Sequence, residues 1–308
     1  MKIAFIGDPH FDYSTPISRL DNYKDVTLSK LNSILKVCLE TKTTHFVMTG
    51  DIFNKLDQSM TYMHDLISVF NEFKENGITV YAIWGNHDLK NNNLNISDKT
   101  PLSLLFKTGV IQYLSIDGVD IGDNTKLYGL DFTKMDLVKD IKTNPDKFNL
   151  LTMHYATDNT VANESVKRED LTQFDIVVAG HDHMYYEPSG EKPVVLRPGS
   201  LVRRTKDAYN LVRKPIMYIV DTETREVAEI EIPNVKEAKE VFKNEVFLGT
   251  EDLYNFYSKN YNNLFTDDFF SSETTDLGEL IQELPDTVFK ESKKVIIDEA
   301  IKAGIIIK

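Results

Sequence analysis

Five short apolar runs, each followed at once by side chains able to bind a metal, set the rhythm of this chain. They are Ile3–Gly7 before Asp8 and His10, Phe46–Gly50 before Asp51, Tyr81–Gly85 before Asn86 and His87, Leu150–Met153 before His154, and Ile176–Gly180 before His181 and His183. Runs of this length, rich in β-branched and aromatic residues, predict buried strands. Between them apolar residues recur at helical spacing. Val26–Leu39 and Met60–Phe73 each carry them at i, i+3, i+4 and i+7, the second run closed by Asn76–Gly77. Pro101 opens a short helix over Leu102–Phe106, and the Asn-rich Leu89–Lys99 reads as a loop. Strand and helix in alternation imply the α/β class, with parallel crossovers and a sheet covered by helices on both faces.

Farther along, Val110–Phe132 becomes β-like, with turns at Asp117–Gly118 and Gly122–Asp123–Asn124. A hairpin is predicted from Ile216–Asp221 through Thr222–Arg225 to Val227–Ile232, and Pro233 then breaks the pattern. The chain therefore divides into a main domain, 1–233, and a small acidic, aromatic appendage, 234–308, suited to a cap or a partner-docking role. The appendage contains an amphipathic stretch, Val288–Ile301, ahead of Gly304. No internal repeat or low-complexity tract interrupts this plan.

Composition changes the picture in three places. The 308 residues, 41% hydrophobic, suffice for one large core, and no apolar stretch approaches the roughly 20 residues of a membrane span. The opening strand lacks the features of a secretory signal. The single cysteine, Cys38, excludes an internal disulfide; its spacing puts it on the apolar face of the first helix with Leu28, Leu31, Leu35 and Leu39. A cytoplasmic protein is expected. The formal net charge of −13 argues against a nucleic-acid partner. Against this, Lys192, Arg197, Arg203, Arg204, Lys206, Arg213 and Lys214 face only Asp207 over one stretch, which predicts a local basic patch.

Ligands at the C-terminal ends of successive strands gather on one rim of a sheet, where α/β proteins keep their sites. Gly180–His181–Asp182–His183 offers two imidazoles on one side of an extended segment. Gly85–Asn86–His87–Asp88 brings an amide, an imidazole and a carboxylate together at a tight turn. His45 and His64 read as structural or exposed, and Trp84 as a packing anchor. Tyr155, Tyr185 and Tyr186 flank ligand motifs and suit either packing or a substrate groove.

With Gly7–Asp8–Pro9–His10, Gly50–Asp51, Gly85–Asn86–His87–Asp88, His154 and Gly180–His181–Asp182–His183 all present in order over residues 1–200, the chain resembles the calcineurin-like metallophosphoesterases. The resemblance implies a fold of layered β-sheets flanked by helices. It assigns one metal to Asp8, His10, Asp51 and His183, and another to Asp51, Asn86, His154 and His181, with Asp51 shared. Oxygen and imidazole ligands without thiolate suit Mn²⁺, Fe or Zn²⁺; a pair of such ions lowers the pKa of a bridging water and grips phosphate oxygens. His87 is the candidate proton donor to the leaving oxygen, and Asp88 either orients it or stabilises the turn.

Within that family, His45–Phe53, Val178–His183 and Arg197–Arg203, with its Pro198–Gly199–Ser200, are most similar to the SbcD-type DNA repair nucleases in a compact, phage-like form. This implies a manganese-dependent exo- or endonuclease acting on DNA with an SbcC-like SMC-type ATPase, and a possible homodimer. Asn54 stands where many relatives have histidine; it and Arg197, Arg203 and Arg204 are the expected substrate contacts. The competing readings are a phosphatase or phosphodiesterase acting on nucleotides or phosphoproteins, and an inactive binding scaffold.

Overall fold

The computed structural model describes residues 1–157 and 165–243. In chain order its strands are β1 (Lys2–Ile6), β2 (His45–Met48), β3 (Thr79–Ala82), β4 (Gln112–Tyr113), β5 (Val119–Ile121), β6 (Thr125–Leu130), β7 (Phe148–Met153), β8 (Ala156–Thr157), β9 (Ser165–Val166), β10 (Ile176–Ala179), β11 (Val194–Leu196), β12 (Ile216–Asp221) and β13 (Val227–Glu231). The α-helices are α1 (Tyr23–Glu40), α2 (Met60–Glu75), α3 (Pro101–Thr108), α4 (Ala208–Val212) and α5 (Ala238–Val241). Each of the five strands expected ahead of a ligand motif is present.

Local chemistry explains the helix ends. Asn22 and Ser59 accept hydrogen bonds from the amides of Asp25 and Tyr62, capping α1 and α2. Thr100 caps α3, with Pro101 at its first position and left-handed Gly109 (φ 70°) at its end. The Leu89–Lys99 segment, expected as a loop, is largely exposed and winds into short 3₁₀ turns at Lys90–Asn92 and Leu94–Lys99.

Strands assemble into two main sheets, ordered β13-β12-β1-β2-β3-β4 and β11-β10-β7-β6-β5. Strands β1 to β4 run parallel to one another, as do β6, β7, β10 and β11. Alternation along a strand sorts its side chains between layers. From β1, Ala4 and Ile6 join Leu31, Leu35 and Cys38 of α1 and Phe70 and Phe73 of α2. Ile3 and Phe5 face the other way, into a core shared with Leu150, Ile176 and Val178 of the second sheet.

That second core corrects one expectation. Among the described residues the first sheet has helices on one face only; its other face packs on the second sheet. Leu151, Met153, Val177 and Ala179 then form the outer face of the second sheet, covered with Val138 and Leu171 from 3₁₀ turns. A strand buried on both faces reads the same whether a helix or a sheet covers it, so its apolar run leaves that choice open.

Past Pro233 the chain stays packed on the main body. Val241 and Phe242 are buried, the Leu20 amide donates to the Val241 carbonyl, and that of Lys243 donates to Ser18. The rest of the expected appendage, 244–308 with its amphipathic stretch, lies outside the described residues. Among the described residues no helix is long and apolar enough to cross a membrane.

Candidate metal centre

All seven expected ligands come together where the C-terminal ends of β1, β2, β3, β7 and β10 meet. The backbone bends hard to achieve this. Asp8, His10, Asp51 and His181 have φ values of 34°, 44°, 48° and 75°, a region that L-residues with side chains visit at a cost and that concentrates at functional sites. Glycine makes room where chains cross. A Cβ on Gly85 would stand 2.1 Å from the Asp51 nitrogen, and one on Gly50 would stand 2.5 Å from His154 Nδ1.

Two ligand sets emerge, His10–Asp51–His183 and Asp8–Asp51–His154, each with its ligating atoms within 4.8 Å of one another. Asp51 belongs to both. Its Oδ2 lies 3.6 Å from His10 Nε2 and its Oδ1 3.3 Å from His154 Nε2. His10 Nε2 and His183 Nε2 are 2.8 Å apart. Asn86 Oδ1 sits 3.0 Å from His154 Nε2 and 3.2 Å from His181 Nδ1, completing the second set. Asp8 lies within reach of both Asp51 and His154. Its Oδ1 accepts from the His181 amide at 3.1 Å and lies 3.4 Å from His154 Nδ1.

Electrostatics test whether divalent cations fit here. His154 Nδ1 faces the Thr49 carbonyl at 2.7 Å, and a carbonyl only accepts. The hydrogen is therefore on Nδ1, and Nε2 points a lone pair at the oxygens of Asn86 and Asp51 unless a positive charge sits between them. Burial alone would lower the His154 pKa, but Asp51 and Asp8 raise it to about 9, so a proton supplies that charge. Burial holds His10 well below the usual histidine range and His183 at about 4, leaving both imidazoles neutral and able to ligate. Burial also pushes Asp8 up to about 7, against the pull of His154. Asp51, despite its burial, is carried far below the carboxylate range by His154, His10 and His87. Asp8 Oδ2 is buried with no hydrogen-bond partner among the described residues. Converging lone pairs, an orphaned carboxylate oxygen and a bridging carboxylate match the demands of two divalent cations.

His87 stands at the exposed lip of this cluster, its ring 4.9 Å from that of His10. Its amide donates to Asp51 Oδ1 at 2.9 Å, and its Nδ1 lies 2.9 Å from the Asn54 carbonyl. That carbonyl places the hydrogen on Nδ1 and leaves Nε2 as the working atom. The orienting role expected of Asp88 therefore falls to the backbone of Asn54. Asp88 faces inward, accepting from the amides of Ile52, Phe53 and Gly85 at 2.9–3.1 Å, while burial and Asp51 raise its pKa to about 7. It stabilises the turn, the other role open to it. The Asn54 side chain also differs from expectation. Its amide donates to Asp12 Oδ2 at 2.8 Å, deep in the fold, and so is not presented to substrate.

The expected basic patch divides in three dimensions. Arg203 is buried and donates to the carbonyls of Asn210 and Lys236. Arg213 binds the carbonyls of Ser200 and Val202 and the side chain of Asn210. Lys192 and Lys214 pair with Asp175 and Glu231. The other two expected arginine contacts, Arg197 and Arg204, are only half-buried. The charge of Arg204 is felt at His10. Arg197 lies 4.1 Å over the Tyr186 ring and donates to Thr157.

Several supporting residues carry no clear sequence signal. Tyr23 donates its hydroxyl to the His10 carbonyl, and Ser200 donates to that of Asp8. Phe132 packs its ring 5.7 Å from His181 and 6.1 Å from His154. Asp12, two residues past His10, was findable as part of a dense polar motif; Phe132 was not. Of the other aromatic residues, Trp84 packs on Phe106 and Tyr155 stacks on Phe132, both buried. His64 is exposed, and half-buried His45 stacks on Tyr81.

Residues 1–185 match the family model described as calcineurin-like phosphoesterase. Two curated archaeal relatives are each called DNA double-strand break repair protein Mre11. The Methanocaldococcus jannaschii protein is 24% identical over 198 residues, 59% of this chain and 51% of its own length. That of Methanopyrus kandleri is 22% identical over 114 residues, 37% of this chain and 24% of its own length. The chain thus spans about half or less of the curated relatives it matches. A solved dimetal phosphatase from Danio rerio aligns over 75% of this chain and 99% of its own, at 12% identity and a TM-score of 0.42.

Proposed function

The chain belongs to the calcineurin-like phosphoesterase family, and from that premise we propose that it is an SbcD-like, manganese-dependent DNA nuclease that processes DNA ends. Members of the family are metal-dependent hydrolases of phosphoester bonds that hold two divalent cations. The residues that would hold the pair are Asp8, His10, Asp51, Asn86, His154, His181 and His183. When bound, the cations would polarise the phosphate and supply a water of lowered pKa as nucleophile.

The chain's own residues do the rest. Asp51 holds the two ligand sets in register and, by accepting the His87 amide, fixes the proton donor to the same anchor. The Asn54 carbonyl sets the His87 tautomer, so that Nε2, once protonated, can donate to the departing oxygen. Exposure of His87 lets solvent reprotonate it after each turnover. Arg204 and Arg197 extend positive charge from the centre toward a polymer's flanking phosphates.

One observation carries the hydrolytic core of this reading: a single aspartate, Asp51, joins two ligand sets beneath an exposed, pre-oriented histidine. The choice of DNA is supported by the two relatives named for DNA double-strand break repair, and an SbcC-like ATPase as partner is what the sequence resemblance implies. A Mn²⁺-supplemented assay comparing linear duplex DNA, single-stranded DNA and a chromogenic phosphodiester tests it. Cleavage of DNA in preference to the small diester is expected. Turnover of nucleotides or phosphopeptides with no attack on either DNA would favour a phosphatase instead.

A further inference from the structure

A second cluster of charge, which the proposed reaction does not use, lies behind the metal centre. Arg19, Lys30 and Arg203 are only 4%, 6% and 4% exposed. All three line a cavity of about 60 Å³ between α1 and the segment 233–236. Among the described residues the one carboxylate on its wall is Asp21, and Arg19 occupies both its oxygens at 2.8 and 2.9 Å. The other hydrogen bonds of these cations go to neutral carbonyls, and Arg19 and Arg203 also lie 5.0 and 6.0 Å from the ring centres of Tyr23 and Phe242. Lys30 Nζ donates to Leu201 at 2.7 Å, and Arg203 donates to Asn210 and Lys236. Carbonyl dipoles satisfy hydrogen bonds without cancelling charge, and a cation buried without a counter-ion is costly. Burial, compounded by the positive charges of Arg213, Arg19 and Arg203, drives the Lys30 amine well below its ordinary pKa. Asp21 and, at Arg203, Glu237 offset part of this charge, but three buried cations outnumber them and the wall stays net positive.

We propose that this cavity binds one tetrahedral oxyanion, the phosphate group of a small ligand, between Lys30 and Arg203. Its volume equals about two waters at liquid density, room for a single phosphate but not for a nucleoside. A planar guanidinium fork beside a compact ammonium is a recurrent phosphate cradle. The position also bears on Arg204. Arg203 lines the cavity, and Arg204, its neighbour in sequence, is half-buried. The loop before α1 grips both backbones: Arg19 Nη1 donates to the Arg203 carbonyl at 2.5 Å and Ser18 Oγ to that of Arg204 at 2.8 Å. An occupant would tighten the strap that places Arg204. None of this depends on the identity of the nuclease substrate.

The test follows the thermal midpoint of the full-length, metal-loaded protein as phosphate replaces chloride at constant ionic strength. At 100-fold excess over Kd the midpoint should rise by about 5 °C. Phosphate taken up by the metal centre persists in variants of the cavity, so the difference between proteins reports the cavity alone. In Lys30→Met most of the rise should vanish, whereas Lys30→Arg should keep it. Ser29→Glu, which puts a carboxylate at the mouth, should raise the midpoint without phosphate and abolish the dependence. Each variant should hydrolyse a chromogenic phosphodiester normally. ATP in place of phosphate separates the sources. Equal midpoints at equal concentrations point to free phosphate, and a larger rise with ATP points to a nucleotide's terminal phosphate. Identical phosphate dependence in wild type, Lys30→Met and Ser29→Glu would overturn the proposal, as would no dependence in any of them.

Discussion

His87 and Asp51 divide two functions that a simple loss of activity would confuse. His87→Ala removes the proposed proton donor but leaves the ligand sets intact. Turnover should fall about 10²–10⁴-fold while the protein still takes up two equivalents of Mn²⁺ by calorimetry. Asp51→Ala should lose both ions, because one carboxylate serves both sets. A His87 variant with normal turnover would remove that residue from the reaction. Asp88→Ala should act differently again, leaving three buried amides without their acceptor. A loss of at least about 3 kcal/mol is expected from urea unfolding. Residue identities at this site were legible from the chain because each ligand follows a strand end. Pairings were not. Asp88 is adjacent to His87 in sequence yet points inward across the turn, and the carbonyl that orients His87 belongs to Asn54, 33 residues upstream.

At the scale of elements, periodicity predicted α1 and α2 because one face of each must meet the sheet, and Cys38 falls on that face. Its thiol is buried, and burial pushes its pKa up to about 12. The folded state thus resists forming the thiolate. The associated stability is whole below the unfolded thiol's pKa, near 8.5, and is lost as pH climbs toward 12. At pH 8 a thiol reagent should label native protein only through unfolding, with a rate that rises with urea as the unfolded population does. Rapid labelling without denaturant would show that α1 does not shelter it. What the elements concealed was their cover. β7 and β10 are apolar on both faces, and nothing in such a run distinguishes the sheet on one side from the 3₁₀ turns on the other.

For the whole molecule, the question is how a chain of net charge −13 would hold a polyanion. The run of basic residues from Lys192 to Lys214 suggested a patch, but a linear sequence does not reveal which cations turn inward. Arg213 turns inward and ties the segment after the last ligands, from Ser200 to Val202, to α4. Arg204 is half-buried and takes no such carbonyl-binding role among the described residues, and its positive charge contributes to keeping His10 neutral. The two arginines therefore make opposite predictions. Arg213→Ala should lower stability by about 3 kcal/mol, because the carbonyls it served stay buried, and all hydrolysis should fail together as the protein melts. Arg204→Ala should melt within a degree of wild type but bind DNA more weakly. The slope of log K against log salt should shrink by about 0.9, the loss of one phosphate contact. Filter binding across 50–200 mM salt would measure it. An unchanged slope would place the DNA path elsewhere on the surface, with the two ions as its main electrostatic attraction.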